Sequence, residues 1–467
     1  MKKLIYSLLI TSNLALGWGE VGHHLIARSA VEILKSHPDL NKIEPIPAEN
    51  LTSFLNVLKS KQYQQGHVAN IPDTYWRNLE GELADVGTLL GAPTHYLDSD
   101  LRLGQTPSKD LLAAKIPLNY QDAKNSISKN PHFFKTVGTL PWRAQQLAQL
   151  YSHALNTQVS LVCKDTPVAE ENTRVITAFA GLMAHFTGDV TMPYHSSIDH
   201  DARAIGQKGI HWYFENDLVT ELELSGLFSK VVSRAESILK NKTQENGTPS
   251  IAILKDWVQT HYPQRTDSQQ VTALMMATIS DSYSQIEKLR QLDYTYAIAS
   301  LQEALQMKHC QNLAVLKDLK AQYEKLETDE QKKTFGKVKV LSYPSDYDDK
   351  KVESACRRTP DTRVNQDGEL SLDGKTVAQW HENFIIERLA LAASLTAEIW
   401  MVEWLKAKSP ALCSTLLYAH KPSFVSPMDK NCKGYALTES PKEFILKNGK
   451  SALTQKLKTN HRHCVSF

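Results

Sequence analysis

The densest set of residues able to do chemistry is Ala184-His185-Phe186-Thr187-Gly188-Asp189, followed closely by Pro193-Tyr194-His195. His185 and Asp189 stand four residues apart, a spacing that puts an imidazole and a carboxylate on one face of a helix, about 6 Å apart. Pro193 marks a turn that ends this helix and swings His195 back toward it. The run Ile210-His211-Trp212-Tyr213-Phe214-Glu215 repeats the four-residue spacing with His211 and Glu215. Zinc takes imidazole nitrogen and carboxylate oxygen at about 2.0–2.2 Å, and helical pairs offer two such ligands without strain. One pair alone is a weak signal, because hydrogen-bonded core histidines are commoner than ligands. Two pairs within about thirty residues, with His195 between them, point to a metal site.

Further candidates lie upstream. His95 follows Pro93 in Thr94-His95-Tyr96-Leu97-Asp98. Asp73 sits among apolar and aromatic neighbours in Ile71-Pro72-Asp73-Thr74-Tyr75-Trp76, where an unpaired charge is costly. Asp85 and Asp98 compete with it for the same role. Trp18-Gly19-Glu20-Val21-Gly22-His23 adds another histidine, with His24 as the competing ligand. The start of the chain bears on this segment. Lys2 and Lys3 precede an apolar run, Leu4 to Leu16, and Ala15-Leu16-Gly17 has the small residues of a leader-peptidase site. The run is short for a bilayer span, which takes about 20 residues. We therefore expect residues 1–17 to be a signal peptide and the protein to be secreted or periplasmic. Cleavage after Gly17 frees the α-amine of Trp18, which with its own carbonyl oxygen forms a five-membered bidentate chelate.

These residues resemble a known superfamily. A mature Trp with an early His, then Asp, His, the H-x3-D-x5-H block and a final H-x3-[DE] is similar to the trinuclear zinc pattern. That pattern is shared by zinc-dependent phospholipases C and single-strand-specific zinc nucleases. The match covers residues 18–215, about half of the chain. The resemblance implies a mostly α-helical fold and three zinc ions. Asp73, His95, His185 and Asp189 would hold the first, and His195, His211 and Glu215 the second. Trp18, His23 and Asp189 would hold the third, with Asp189 bridging two ions. It also implies hydroxide attack on a phosphodiester, with Asp73 orienting or deprotonating the attacking water as the catalytic residue.

The elements that must position these side chains read as helices. Val21–Leu34, Trp142–Leu155 and Arg174–Phe186 carry apolar residues at helical spacing. A further run, Phe384 to Leu405, is long and apolar but contains Glu387, Arg388, Glu398 and Glu403. Charges at such depths disfavour a membrane span, so it reads as a core helix and resembles the final helix of the nuclease domain. Strand-like alternation is scarce, with Lys337–Leu341 the best candidate. We expect an all-α fold: a helical domain over 18–407 with a polar insertion at about 305–375, and a loop-rich, cysteine-containing tail over 408–467. Residues 240–250 read as a second polar surface segment. The six cysteines, an even number in an exported chain, suggest disulfides, with Cys310–Cys356 and Cys413–Cys432 the nearest in sequence. His153, His200, His261 and His381 lack partner spacing and read as ordinary surface or core histidines. Pro141-Trp142-Arg143 reads mainly as core packing by Trp142, with anionic substrate as its other use.

Composition narrows the partner. Apolar residues make up 42% and charged residues 22%, ordinary for a packed protein. Lys plus Arg is 53 and Asp plus Glu is 51; removing Lys2 and Lys3 leaves 51 against 51, a mature charge of zero. This excludes a polybasic binder that holds nucleic acid by charge alone. The opening W-G-x-x-G-H and the segments around Asp73 and His95 look like the nuclease form. Glu215 in place of Asp, the Phe214-Glu215-Asn216 context and the short gap from His195 to His211 look like the phospholipase form. Our expectation is a monomeric phospholipase C acting on phospholipid, such as phosphatidylcholine, at a membrane or micelle surface. It would release diacylglycerol and the phosphorylated headgroup. The alternative is an exported nuclease releasing 5′-nucleotides from single-stranded nucleic acid. A non-catalytic zinc-stabilised adhesin is disfavoured, because mere binding does not need an open catalytic site.

Overall fold

The computed structural model describes residues 18–41, 46–76, 91–99, 116–127, 137–161, 167–200, 210–290, 292, 364–365, 368–369 and 377–413. The long apolar run that reads as a core helix is one, and other helices pack around it. It spans Val377–Lys406, and between Ile385 and Trp404 nearly every side chain is buried. A helix apolar on all faces must be surrounded by protein. No described helix is long and apolar enough to cross a membrane. Each charge on the helix that enters the core meets a partner. Glu387 accepts two hydrogen bonds from Arg234 Nε, both at 2.9 Å. Arg388 pairs with Asp281 at 2.6 Å and donates to the Thr191 carbonyl at 2.8 Å. Glu398 meets Lys255 at 2.6 Å and His37 at 3.1 Å. Pairing matters here, since an uncompensated buried charge costs several kcal/mol.

Around this helix the chain folds as helices. They are α1 (Gly19–Ile33), α2 (Ala48–Ser60), α3 (Gln62–Ala69), α4 (Tyr120–Ile127), α5 (Leu140–Val159) and α6 (Pro167–Asp189). There follow α7 (Ile210–Trp212), α8 (Val219–Glu223), α9 (Leu227–Lys240), α10 (Ile251–His261) and α11 (Gln270–Ser284), with the long helix as α12. The three helices expected from periodicity form, starting two, two and seven residues earlier, because caps and prolines rather than apolar spacing set helix ends. The α5 helix has Pro141 in its first turn, where a missing N–H costs nothing. The α10 helix starts at Ser250, whose hydroxyl caps the Ile253 N–H at 3.3 Å. Helices α1, α5, α6 and α9 pack directly on α12.

The fold is all-α, as expected. Among the described residues the only sheet is a two-stranded antiparallel pairing of Val364–Asn365 with Gly368–Glu369, inside the expected insertion. The strand expected at 337–341, the segment expected to be a signal peptide and most of the expected insertion and tail lie outside the described residues. So do five of the six cysteines, and with them both expected pairings. Residues 240–250 form a turn closed by a Glu245–Thr248 bridge and clamped to α9 through Arg234 and Glu245. One apolar core runs from Trp18 through α12 to Leu412. Phe54 stacks on Trp404 there, at 4.4 Å between ring centroids.

Candidate metal centre

Helix α6 is the spine of the site. It carries His185 and Asp189 on one face, with His185 Nε2 3.1 Å from Asp189 Oδ2. Two glycines on α6 let its neighbours approach. A Cβ at Gly181 would lie 2.8 Å from the Gln65 carbonyl of α3, and one at Gly188 would lie 2.9 Å from His23 Nδ1. The end of α6 is in turn fastened to the start of α1. Trp18 is fully buried and donates its indole N–H to the Gly188 carbonyl at 2.8 Å. Gly19, at φ +56°, turns the chain into α1, and a Cβ there would meet Asn216 Oδ1 at 2.9 Å. This anchoring aims His23 across α6, its ring stacked on His185 at 4.0 Å between centroids.

The other candidates arrive on short tight turns. Asp73 lies on a π-helical turn, Pro72–Trp76, and His95 on a 3-10 turn, Ala92–His95. His195 lies on a second 3-10 turn, Pro193–Ser196, which realises the expected swing after Pro193. The two histidine turns are laced together, with the Leu97 N–H on the His195 carbonyl and the Ser99 N–H on the Ser196 carbonyl, both at 2.9 Å. His211 and Glu215 face each other at 3.0 Å. The segment carrying them departs from the expected α-helix: Tyr213–Leu218 is π-helical. Such widened turns insert an extra residue and recur at functional sites.

Eight of the nine expected ligands therefore bring side chains into one buried cluster, and Asp189 is its hub. Asp189 Oδ2 lies 2.9 Å from His95 Nδ1, and Oδ1 lies 3.5 Å from His23 Nε2 and 3.6 Å from His195 Nδ1. Asp73 reaches His95 and His23, both at 3.6 Å. His195 Nε2 lies 3.5 Å from Glu215 Oε1, linking the two halves. Three groups can each bring one ligand atom per residue to a common centre: His23, His185 and Asp189; Asp73, His95 and His185; and His195, His211 and Glu215. Trp18, the ninth, adjoins the cluster at the α1 start. Its carbonyl accepts the Gly22 N–H at 3.0 Å, and in the uncleaved chain its nitrogen is a peptide nitrogen. Of the competitors noted in the sequence, Asp85 lies outside the described residues, and the other two are placed elsewhere. His24 faces Gly66 and Tyr63, and Asp98 lies 3.8 Å from His200. Neither belongs to these groups.

The donor set fits metal ions. His185 Nε2 and His95 Nδ1 are 2.9 Å apart and both aim at Asp189 Oδ2. Without metal these atoms can share hydrogen bonds whose direction the imidazole tautomers set, and with metal the same atoms present lone pairs to one centre. Buried atoms His23 Nδ1 and Nε2, His195 Nδ1 and Asp189 Oδ1 have no hydrogen-bond partner, a costly state that coordination would relieve. His211 Nδ1 donates to the His200 carbonyl, which leaves Nε2 with its lone pair, 3.0 Å from Glu215 Oε1, so that both can serve one metal ion. That bond fixes the tautomer a metal needs. Burial, reinforced by His185, holds His23 below the usual imidazole range; burial does the same for His95, and lowers His195 further. Burial pushes the Asp189 carboxyl up, against the opposing pull of His95. The pocket thus keeps its imidazoles neutral, the form that ligates. Several buried His/Asp/Glu groups of this protein can hold metal ions.

One feature escaped the sequence. His37, Asp39 and Glu398 also converge, but protein atoms already satisfy them. His37 Nδ1 accepts the Asp39 N–H, Nε2 meets Glu398, and Lys255 pairs with the second Glu398 oxygen. This is an ion-pair clamp between the end of α1 and α12, and its members are 361 residues apart in sequence. In Pro141-Trp142-Arg143, Trp142 packs as core, as expected, donating to the Leu118 carbonyl, while the Arg143 guanidinium lies 5.0 Å from the Trp76 ring centroid. Compared with family models, curated proteins and solved structures, the chain matches none.

Proposed function

We propose that this protein is a zinc-dependent phosphodiester hydrolase, specifically a phospholipase C acting on phospholipid headgroup esters. The observation that carries the reading is the convergence of four histidines on both oxygens of one buried carboxylate, Asp189. A lone structural zinc is satisfied by four ligands in a closed site, whereas this cluster holds eight ligand-type side chains in three groups, two of which share His185. The three acidic members, Asp73, Asp189 and Glu215, carry at most three negative charges against three divalent cations. A cationic excess suits an anionic phosphodiester. Bound zinc would supply that charge and lower the pKa of a water to about 7.

The side chains divide the remaining work. Asp189 holds the two imidazole pairs in register and offsets charge between them. The His200 carbonyl fixes His211, and Glu215 lies beside its Nε2. Asp73 offers Oδ2 as the proton acceptor for an attacking water, at the end of the cluster nearest His23 and His95. Lipid rather than nucleic acid is supported by Glu215, by Phe214-Glu215-Asn216 and by the absence of net charge in the mature chain. The opening W-G-x-x-G-H supports the nuclease alternative. Purified mature protein offered phosphatidylcholine vesicles and single-stranded DNA, with and without chelator, separates the two. Chelator-sensitive diacylglycerol and phosphocholine are expected. Release of 5′-nucleotides with no diacylglycerol would replace the phospholipase with the nuclease, and no hydrolysis of either would end the proposal.

A further inference from the structure

Arg143 stands in the first turn of α5, and that turn is built onto the His95 segment. The Thr139 and Leu140 N–H groups donate to the Pro93 and Tyr96 carbonyls at 2.6 and 3.2 Å. The Arg143 guanidinium lies 5.0 Å from the Trp76 ring centroid and 5.7 Å from that of Phe186. Trp76 is three residues beyond Asp73. Phe186 adjoins His185, with its ring 4.9 Å from the His185 ring and 5.5 Å from that of His95. The cation is therefore held one aromatic ring away from the ligand cluster.

Cation–π attraction explains where Arg143 sits but not what its donors do. A guanidinium carries five N–H groups in its plane, and ring faces do not accept in that plane. Among the described residues only Nη1 has an acceptor, the exposed Gln146, at 2.5 Å. Nε is buried with no hydrogen-bond partner, and no carboxylate among the described residues pairs with this arginine. By contrast Arg234, Arg290 and Arg388 each meet an acidic partner. A buried donor without an acceptor calls for an explanation. Burial lowers the Arg143 pKa below that of an ordinary arginine, yet a guanidinium stays charged at neutral pH.

We infer that Arg143 is a substrate anchor at the rim of the metal cluster, donating its in-plane N–H groups to a phosphoryl oxygen. The ligand class is a phosphodiester, and equally the phosphoryl group of its product or of inorganic phosphate. The inference rests on the phosphodiesterase reading, so its test avoids turnover. Inorganic phosphate binding is measured by calorimetry on the zinc-loaded mature chain, alongside zinc content and melting temperature. R143Q should weaken phosphate about tenfold, as loss of a charge-assisted pair does. R143K, which keeps the charge without the fork, should fall between. Zinc content and melting temperature should not move. W76L, which removes the ring that aims the guanidinium, should weaken phosphate in the same direction and supports the inference even if R143Q folds poorly. Phosphate affinity within twofold of wild type in both R143Q and W76L overturns it. A loss that tracks zinc loss also overturns it, because Arg143 would then be structural. Should no phosphodiester be hydrolysed, the functional reading fails, and the phosphate titration still decides the role of Arg143.

Discussion

Replacing Asp189 by Asn separates a metal ligand from a structural residue, because the two roles predict opposite effects on stability. Burial raises the Asp189 carboxyl above its ordinary value. An acid with a raised folded-state pKa opposes folding at any pH above its unfolded value, about 4. Without metal the charge is a liability, and the amide, nearly the same in shape, removes it. D189N in chelator should therefore melt at or above the wild-type temperature. With zinc the order reverses. Each site filled at a hundred times its dissociation constant adds about 2.7 kcal/mol. The proposed bridge makes Asp189 a ligand of two ions, so D189N forfeits about 5 kcal/mol of that gain. At roughly 2 °C per kcal/mol for a large domain, this is on the order of 10 °C. Differential scanning calorimetry of both proteins, with chelator and with excess zinc, reads all four states. The reasoning is refuted if D189N keeps the full zinc-induced rise, or if it melts well below wild type in chelator.

Other consequences follow from particular contacts. A variant keeping Met ahead of Trp18 turns the proposed amine ligand into an amide, and should lose one zinc equivalent and much of the activity; unchanged turnover with a verified Met-Trp start contradicts the chelate. G138A forces a side chain onto a φ of +92°, with its Cβ 2.0 Å from the Tyr96 carbonyl. The conformational strain alone costs about 1–3 kcal/mol, and the displaced His95 turn should lower zinc affinity in a titration with competing chelator. Burial tends to raise Glu398, but the His37 hydrogen bond and Lys255 outweigh it and leave its pKa below the ordinary 4.5. Its ionised form thus stabilises the fold above about pH 4.5 and loses that effect as the pH falls through the lowered value. E398Q should melt lower than wild type at pH 7 by an amount equivalent to about 1–3 kcal/mol, with the gap closing in acid; a pH-independent gap would refute the clamp.

The ligand cluster was legible because its chemistry is written in short spacings. His185 with Asp189, and His211 with Glu215, are neighbours in space because they are neighbours in sequence, and periodicity alone put them on helical faces. His195 followed from Pro193. Which carboxylate and which N-terminal histidine join them was not legible: Asp73 and Asp98 have similar surroundings in sequence. Packing of α3 on Gly181 and the lacing of Leu97 and Ser99 to the His195 turn decided between them. The widened turn at Tyr213–Leu218 was hidden as well, since nothing in its residue types distinguishes a π turn from an α turn. Clamps such as His37–Glu398 depend on tertiary contacts between distant segments, which carry no local signature. For Pro141-Trp142-Arg143 the sequence offered core packing first and anionic substrate second; Trp142 explains the segment as core, and the positions of the Trp76 and Phe186 rings beside Arg143 carry no local signature.

The most direct test of the central claim is a zinc titration of the mature protein, starting at Trp18, followed by elemental analysis after removal of loosely held metal. The arrangement around Asp189 predicts a plateau at three zinc ions per chain, and a plateau below three contradicts it.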